Sequence, residues 1–251
     1  MEFVSIGEEK PRAFTGDDKK MNHKLIVALD VPTLAAASKL VDTLSPTVDC
    51  YKIGKELFTS EGPAVVKMVH DRGAKVFLDL KFHDIPNTVA GAVRAAARLG
   101  VWMVNVHVCG GADMMREAAQ AAAASPKPPL VIGVTVLTSM NEAGLKEVGV
   151  TGSAVGEQVV RLARLAKSNG LSGVVASAQE ATTLRRAFGK DFLIVTPGVR
   201  PAGSAAGDQK RILTPRDAIT AGADHLVVGR PITESADPKA AAEAILKEMK
   251  G

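Results

Sequence analysis

The feature that most constrains the fold is an eightfold alternation of short apolar runs with longer helical patterns, which starts at Lys24. Most runs have four to seven residues, are rich in β-branched side chains and are apolar on both faces, as strands of a buried parallel sheet are. The runs are LIVALD at 25–30, CYKI at 50–53, VFLDL at 76–80, MVNVHV at 103–108, LVIGVTV at 130–136, GVVA at 173–176, FLIVT at 192–196 and HLVVG at 225–229.

Between these runs lie Ala-rich, Leu-bearing stretches, such as those at 33–44, 89–99, 112–124 and 156–167, which match helices. Eight alternating units predict an α/β fold that is a single (β/α)8 TIM barrel. The alternative is an open doubly wound sheet, which in a dinucleotide-binding protein carries a GxGxxG turn after its first strand. Here the first run ends in Asp30-Val31-Pro32, without a glycine, which favours the barrel.

Composition excludes several other classes of protein. Hydrophobic residues make up 46% and charged residues 23% of the 251 residues, which is typical of a globular domain. No apolar run approaches the roughly 18 residues of a membrane-spanning helix. The net charge is only +4, with one Trp, one Tyr and no long basic run, so a small anionic substrate is favoured over nucleic acid. Cys50 and Cys109 fit neither a disulfide framework nor a zinc site, which favours the reducing cytoplasm.

Residues 1–23 differ from the rest of the chain. They mix acidic and basic residues and contain no apolar segment, so they do not match a secretory signal, and their acidic residues disfavour a transit peptide. We expect a poorly ordered N-terminal leader, followed by a barrel domain over residues 24–251.

In a TIM barrel the active site lies at the carboxyl ends of the strands, and many of these positions carry polar residues here. The predicted strand ends bring together Asp30, Lys52, Asp79, Lys81, His107, Thr138, Ser139, Ser177, Pro197, Gly198, Arg200, Gly229 and Arg230. Because charged groups are rarely buried without partners, this gathering indicates a polar site.

The segment DLKFHDIPNT at 79–88 is the strongest chemical signal. Asp79 and Lys81 are two residues apart, so on a strand both point to one face, and Lys52 comes from the neighbouring strand. Such a Lys–Asp–Lys cluster can hold a lysine protonated and place a carboxylate beside a substrate. The alternative is a structural ion pair in the barrel mouth.

Asp84 and the histidines have structural interpretations that compete with catalysis. Asp84 stands before Ile-Pro-Asn-Thr, so a helix start with Asp84 near the N-cap and Pro86 in the first turn is at least as well supported as a catalytic role. We expect His83 and His107 to be packed or hydrogen-bonded and not catalytic. No HxH or HExxH spacing indicates a metal site.

The last two units indicate an anion site. TPGVRP at 196–201 precedes a Gly/Ala/Ser-rich stretch at 202–207, which predicts a mobile loop, and strand eight ends in Gly229-Arg230-Pro231. Phosphate sites of barrels commonly follow strands seven and eight, and Arg230 can bind two phosphate oxygens. The alternative is an ordinary glycine-containing loop.

Several of these segments together resemble the orotidine 5′-phosphate decarboxylase family. They are DLKFHDIPNT at 79–88, TPGVRP at 196–201, GDQKRILTP at 207–215 and GRPIT at 229–233, with ALD at 28–30, YKIG at 51–54 and VLTSM at 136–140. The resemblance covers essentially all of residues 24–250. The DxKxxD core also occurs in related sugar-phosphate decarboxylases and synthases, whereas its combination with YKIG, GDQ and GRPIT is highly specific.

The resemblance implies decarboxylation of orotidine 5′-monophosphate to UMP, the last step of de novo UMP synthesis, without a metal or an organic cofactor. It implies Lys81 as the proton donor to C6, Asp79 beside the substrate carboxylate, and Lys52 and Asp84 as the rest of the charged network. It also implies a homodimer in which Asp84 and Thr88 reach the neighbouring site. The implied substrate-binding residues are Asp30 and Lys52 at the ribose, Thr138 and Ser139 near the base, and Pro197, Arg200, Gln209, Gly229 and Arg230 towards the phosphate.

Three other functions remain open from the residues alone. A metal-dependent 3-keto-sugar-phosphate decarboxylase or hexulose-phosphate synthase on the same barrel would hold Mg²⁺ with acidic side chains at the strand ends. A catalytically inactive nucleotide-binding barrel is disfavoured by the intact set of Lys52, Asp79, Lys81 and Asp84. An aldolase with a Schiff-base lysine is disfavoured because flanking carboxylates would keep Lys81 charged.

Overall fold

The chain folds into a closed parallel barrel, in a computed structural model that describes residues 24–201 and 213–250. Its strands are β1 (Leu25–Ala28), β2 (Cys50–Gly54), β3 (Lys75–Phe82), β4 (Met103–His107), β5 (Leu130–Val134), β6 (Gly173–Val175), β7 (Leu193–Pro197) and β8 (His225–Val228). Each strand pairs in parallel with the next, and β8 returns to pair with β1 through Leu226 and Leu25. The predicted (β/α)8 barrel is therefore confirmed, and the open doubly wound sheet is wrong.

Helices connect the strands and cover the outside of the barrel. Within the described residues they are α1 (Leu34–Leu44), α2 (Lys55–Glu61), α3 (Ala64–His70), α4 (Pro86–Arg98), α5 (Ala112–Ala123), α6 (Glu142–Glu147), α7 (Val155–Ser168), α8 (Ala178–Phe188), α9 (Pro215–Thr220), α10 (Arg230–Thr233) and α11 (Pro238–Glu248). None of these helices combines the length and the apolar character that a membrane crossing requires.

Strands that are apolar on both faces build two hydrophobic layers. One layer fills the barrel interior, and it consists of Ile26, Ala28, Cys50, Phe77, Met103, Ile132, Val195 and Val227. The alternate strand residues, such as Leu25, Val104 and Ile194, pack outward against the helices. Full burial of an aliphatic side chain contributes about 1.5–3 kcal/mol, so the two layers fix the strand ends as a rigid rim.

Several helices start at polar caps close to this rim. The Thr33 hydroxyl accepts from the Ala36 N–H at the start of α1, and the Ser177 hydroxyl accepts from the Gln179 N–H at the start of α8. Such caps satisfy amides that have no partner within the helix. The capping residues therefore define where the loops at the carboxyl ends of β1 and β6 finish.

Asp84 lies next to the N-cap of α4, as expected, but it does not cap the helix. Helix α4 begins at Pro86, as the sequence indicates, but its N-cap residue is Ile85, which offers no side-chain acceptor. Proline favours the first helical position, so the cap falls on the residue directly before it. The Asp84 carboxylate instead accepts from the N–H of Ile85 at 2.7 Å.

The amino-terminal end of the barrel is closed by an aromatic group. Trp102 directly precedes β4, and its ring meets the His225 ring edge-on at a centroid distance of 5.2 Å. The Lys75 ammonium lies 5.5 Å from the centre of the same indole ring, within range of a cation–π interaction. This group lies at the end of the barrel opposite to the rim that carries the candidate site.

Candidate active site

Four charged side chains from the carboxyl ends of β1, β2 and β3 meet in one cluster. The Lys52 ammonium donates to the Asp30 carboxylate at 2.9 Å and lies 3.5 Å from an Asp79 oxygen. The Lys81 ammonium donates to the other Asp79 oxygen at 2.6 Å. The predicted Lys–Asp–Lys arrangement is thus formed, and Asp30 extends it to a line of alternating charges.

The side chains at the two ends of this line are more exposed than those in its middle. The Asp79 and Lys52 side chains are each 11% exposed, Lys81 is 26% exposed and Asp30 is 56% exposed. Burial alone would raise the pKa of the Asp79 carboxyl, but the Lys52 and Lys81 ammonium groups, with hydrogen bonds from Lys81 and Asn105, hold that pKa below its ordinary value. A fixed negative charge therefore lies between two ammonium groups at the floor of the cluster.

Lys81 reaches this cluster through an unusual backbone conformation. Its φ is +53°, and it is the one non-glycine residue with a positive φ in the described part of the chain. The pairing of β3 with β4 also shifts between Leu78 and Phe82, so the strand bulges at this point. Left-handed backbone at a residue with a Cβ costs roughly 1–3 kcal/mol, and bulges near active sites re-aim side chains.

Asn105 is part of the cluster, although the sequence analysis did not single it out. Its amide nitrogen donates to Asp79 at 2.7 Å, and its amide oxygen accepts from the Lys81 N–H at 2.8 Å. The signal was present in the sequence, because Asn105 is an uncharged polar residue in the middle of the otherwise largely apolar run MVNVHV. A polar residue inside a buried strand needs partners, and here both partners belong to the charged cluster.

Two glycines allow the chain to approach the cluster closely. A Cβ at Gly54 would lie 3.1 Å from the Lys52 ammonium nitrogen and 3.4 Å from an Asp30 oxygen. A Cβ at Gly229 would lie 3.4 Å from the other Asp30 oxygen. Gly229 therefore belongs to the same region as Asp30, which brings the end of β8 beside the end of β1.

The residues assigned to a second subunit lie apart from this cluster. Asp84 and Thr88 are both exposed, Asp84 in the loop before α4 and Thr88 in its first turn. Within the described part of one chain, no ion pair joins Asp84 to Lys52 or Lys81. The charged network of a single chain is therefore Asp30, Lys52, Asp79 and Lys81, without Asp84.

The predicted base and phosphate residues follow β5, β7 and β8. Thr138 and Ser139 form a turn after β5, in which the Met140 N–H donates to the Leu137 carbonyl. The remaining members occupy three places: Pro197 ends β7, Arg200 is buried just beyond it, and Gly229 and Arg230 open the short helix α10. Gln209 lies outside the described residues.

His83 and His107 form a pair beside the cluster. Their ring centroids are 5.7 Å apart, and burial followed by the nearby His83, Lys81 and Lys55 charges lowers the pKa of His107. The Cys109 sulfur lies 3.9 Å from His83 Nδ1, and both cysteines are free thiols. Across residues 24–201 and 213–250, no three His, Cys, Asp or Glu side chains are arranged to hold a metal ion.

Comparison with known proteins agrees with this geometry. The family model described as "Orotidine 5'-phosphate decarboxylase / HUMPS family" matches residues 23–245. An orotidine 5′-phosphate decarboxylase of Moorella thermoacetica is 57% identical over 90% of this chain and 92% of its own length. The enzyme of that name from Halorhodospira halophila is also 57% identical, over 90% of this chain and 95% of its own length.

Solved structures agree with both the sequence family and the fold. The crystal structure of orotidine 5′-phosphate decarboxylase from Lactobacillus acidophilus superposes with a TM-score of 0.81 at 40% sequence identity. The match covers 91% of this chain and 100% of that one. The chain therefore belongs to the orotidine 5′-phosphate decarboxylase / HUMPS family.

Proposed function

We propose that this chain is a carboxy-lyase that converts orotidine 5′-monophosphate to UMP and carbon dioxide, the last step of de novo pyrimidine nucleotide synthesis. The observation that carries the proposal is the Lys81 ammonium, held 2.6 Å from the buried Asp79 carboxylate at the open end of the barrel. Family membership supplies the substrate, since the relatives that match at 57% identity are named for it.

The chemistry requires stabilisation of a carbanion. The bond between C6 and the substrate carboxylate breaks heterolytically, carbon dioxide leaves and the electron pair stays on C6. The Lys81 ammonium stabilises this charge as it develops, and then transfers its proton to C6 to complete UMP. The neutral amine that remains regains a proton from water. Lys81 therefore acts first through its charge and then as the acid.

Asp79 has two roles in this proposal. Its carboxylate accepts from the Lys81 ammonium at 2.6 Å and so aims this group. It also lies where the substrate carboxylate would bind, so departure of carbon dioxide relieves repulsion between two anions. Lys52, on the other side of Asp79, holds the Asp79 carboxylate in place at an N–O distance of 3.5 Å.

The remaining assignments follow the positions around the rim. Asp30 and Lys52 contact the ribose, and Thr138 and Ser139 contact the base. The phosphate side is formed by Pro197, Arg200, Gln209, Gly229 and Arg230. Binding energy at the phosphate, which is remote from the bond that breaks, can be used to organise the site.

We further propose a homodimer in the cytoplasm. In the single chain Asp84 and Thr88 are exposed on the β3–α4 segment and lie outside the charged cluster. A second subunit packed against this segment would receive both side chains at its own site. Each active site would then need residues from two chains.

The donor set at the strand ends favours chemistry without a resident metal. Asp30 and Asp79 already accept hydrogen bonds from the ammonium groups of Lys52 and Lys81. Two ammonium groups among these carboxylates repel a divalent cation, which prefers oxygen ligands without adjacent positive charge. We therefore expect turnover to be independent of added metal.

The assay that tests the proposal is turnover of orotidine 5′-monophosphate, with and without EDTA. We expect carbon dioxide and UMP in equal amounts, at rates that EDTA does not change. Absence of turnover on this substrate, from protein with a cooperative unfolding transition, would contradict the proposal. Activity on a hexulose or pentulose phosphate that EDTA abolishes would instead support the sugar-phosphate enzyme.

A further inference from the structure

We infer that Asn105 is a positioning residue, which holds Lys81 and Asp79 in their reactive arrangement. This inference rests on the proposed function. Asn105 lies on β4 and is only 1% exposed. It is two residues after Met103, which lines the barrel interior, so the alternation of the strand directs its side chain inward.

The two polar ends of the Asn105 side chain serve two different partners. The amide nitrogen donates to Asp79 at 2.7 Å, and the amide oxygen accepts from the Lys81 N–H at 2.8 Å. A carboxylate needs a donor and an N–H needs an acceptor, so only one orientation of the amide satisfies both. An amide carries its donor and its acceptor on two separate atoms without adding charge, so it can reach both partners at once.

The bulge in β3 explains why a side chain is required here. Leu78 pairs with Val104 and Phe82 pairs with Val106, so four steps along β3 face two steps along β4. The Lys81 N–H points to the Asn105 oxygen in place of a backbone carbonyl of the ladder. Asn105 therefore replaces the backbone acceptor that the Lys81 N–H lacks when Lys81 adopts its left-handed conformation.

This arrangement connects Asn105 to the reaction through other residues. With 1% of its surface exposed, Asn105 offers almost nothing for a substrate to contact. Its donor fixes the Asp79 carboxylate, which in turn accepts from the Lys81 ammonium, and its acceptor fixes the Lys81 backbone. Loss of Asn105 should therefore move the ammonium relative to C6 and leave the groups that bind the substrate intact.

The first test is Asn105→Ala. We expect kcat for orotidine 5′-monophosphate to fall about 100-fold, as a misplacement of about 1 Å in a reacting group can cause. KM and the affinity for UMP should change little, because a residue that acts only on the chemical step lowers kcat. The matched control is Asn169→Ala, which also removes two hydrogen bonds of an amide, to Leu165 and Arg116, far from the rim. The control should keep wild-type kcat.

The second test is Asn105→Asp, which keeps the size of the side chain and serves if the alanine variant does not fold. The new carboxylate faces Asp79, and two carboxylates this close share a proton, which raises the pKa of the pair. At low pH the shared proton restores the hydrogen bond to Asp79, and at high pH the two anions repel. We therefore expect the ratio of variant to wild-type kcat to fall as the pH rises.

Several outcomes would overturn the inference. They are a wild-type kcat for folded Asn105→Ala, a change confined to KM, or a ratio for Asn105→Asp that is constant with pH. A crystal structure of Asn105→Ala decides the matter without substrate: we expect Lys81 to leave its positive φ, and an unchanged Lys81 and Asp79 would contradict us. Failure of the wild-type chain on orotidine 5′-monophosphate would instead contradict the proposed function, with the crystal structure still testing Asn105.

Discussion

Lys81 places its ammonium beside Asp79 while its own backbone adopts an unfavourable left-handed conformation. Its φ of +53° is a conformation that glycine adopts easily and lysine does not. The alternation of a regular strand predicted that Asp79 and Lys81 share a face, and they do meet at 2.6 Å. The left-handed turn could not be predicted, because it depends on the partner that Asn105 provides across the sheet.

This conflict predicts an order of stability among variants at position 81. We expect Lys81→Gly and Lys81→Ala both to abolish decarboxylation, since neither has an ammonium group. Lys81→Gly should have the larger free energy of unfolding, by about 1 kcal/mol, because glycine has no Cβ penalty at positive φ. Urea unfolding at neutral pH measures the difference. An alanine variant as stable as the glycine variant would show that Lys81 is not strained.

Asp79 predicts a pH dependence of stability. Its pKa in the folded chain is lowered, so its contribution to stability is present above the unfolded pKa of about 3.9 and is lost as the pH falls through the folded value. The free energy of unfolding of the wild type should therefore fall towards that of Asp79→Asn as the pH is lowered from about 5 to 3. Urea unfolding of both proteins across this range tests the sign. Parallel pH profiles would contradict the assignment.

At the scale of elements, the sequence predicted the positions of the strands more accurately than the residues at which they end. The apolar run at 76–80 ends where β3 turns polar, yet the strand continues to Phe82, which pairs with Val106. Hydrophobic patterns report burial, and the residues that continue β3 are only half-buried. For the same reason the short helix α2 was not predicted. It follows β2 directly, and its residues Lys55 and Glu56 line a cavity that the charged cluster also lines.

The junction of β2 and α2 predicts a specific steric effect. In Gly54→Ala the new methyl group would press on the Lys52 ammonium at 3.1 Å and on Asp30 at 3.4 Å, so we expect Lys52 to shift. We expect kcat/KM to fall about tenfold, which corresponds to roughly 1.4 kcal/mol of lost transition-state stabilisation.

Steady-state kinetics measure this effect, with Gly156→Ala as the control. Gly156 lies in helix α7 and a Cβ there meets nothing within 4 Å, so the control should keep wild-type kinetics. It should be at least as stable as the wild type, because alanine has a higher helix propensity than glycine. Equal kinetics for the two variants would show that Lys52 accommodates the methyl group.

At the scale of the whole molecule, closure of the barrel adds the end of β8 to a charged cluster that the neighbouring strands β1, β2 and β3 form. Pairing of β1 with β8 brings Asp30 beside Gly229, at positions far apart in the sequence. Regular alternation of strands and helices made this closure predictable. Asp84 makes no ion pair with this cluster within the described residues of the single chain.

A mixing experiment tests whether Asp84 acts in the neighbouring subunit. Asp84→Ala and Lys81→Ala proteins, each nearly inactive, are mixed in equal amounts until the subunits exchange, which the mass of the mixed dimer confirms. If Asp84 crosses over, each mixed dimer has one wild-type site, and activity should recover to about one quarter of wild type for a symmetric dimer.

The control for this experiment pairs two residues of the same cluster. Lys52→Ala mixed with Lys81→Ala should restore nothing, because every site then carries one defect. Confirmed exchange without recovery in the Asp84 mixture would show that the site is not shared. Recovery in the control mixture would show that Lys52 and Lys81 serve different subunits.

The aromatic group at the closed end of the barrel has a practical consequence for spectroscopy. Trp102 is the single tryptophan of the chain, and it is held against His225 and Lys75 at the end opposite to the charged cluster. Its fluorescence emission should therefore change when the barrel unfolds and change little when a ligand binds at the rim. Unfolding of each site variant can thus be followed optically in the presence of nucleotide, with ligand-induced stabilisation read directly from the midpoint of the transition.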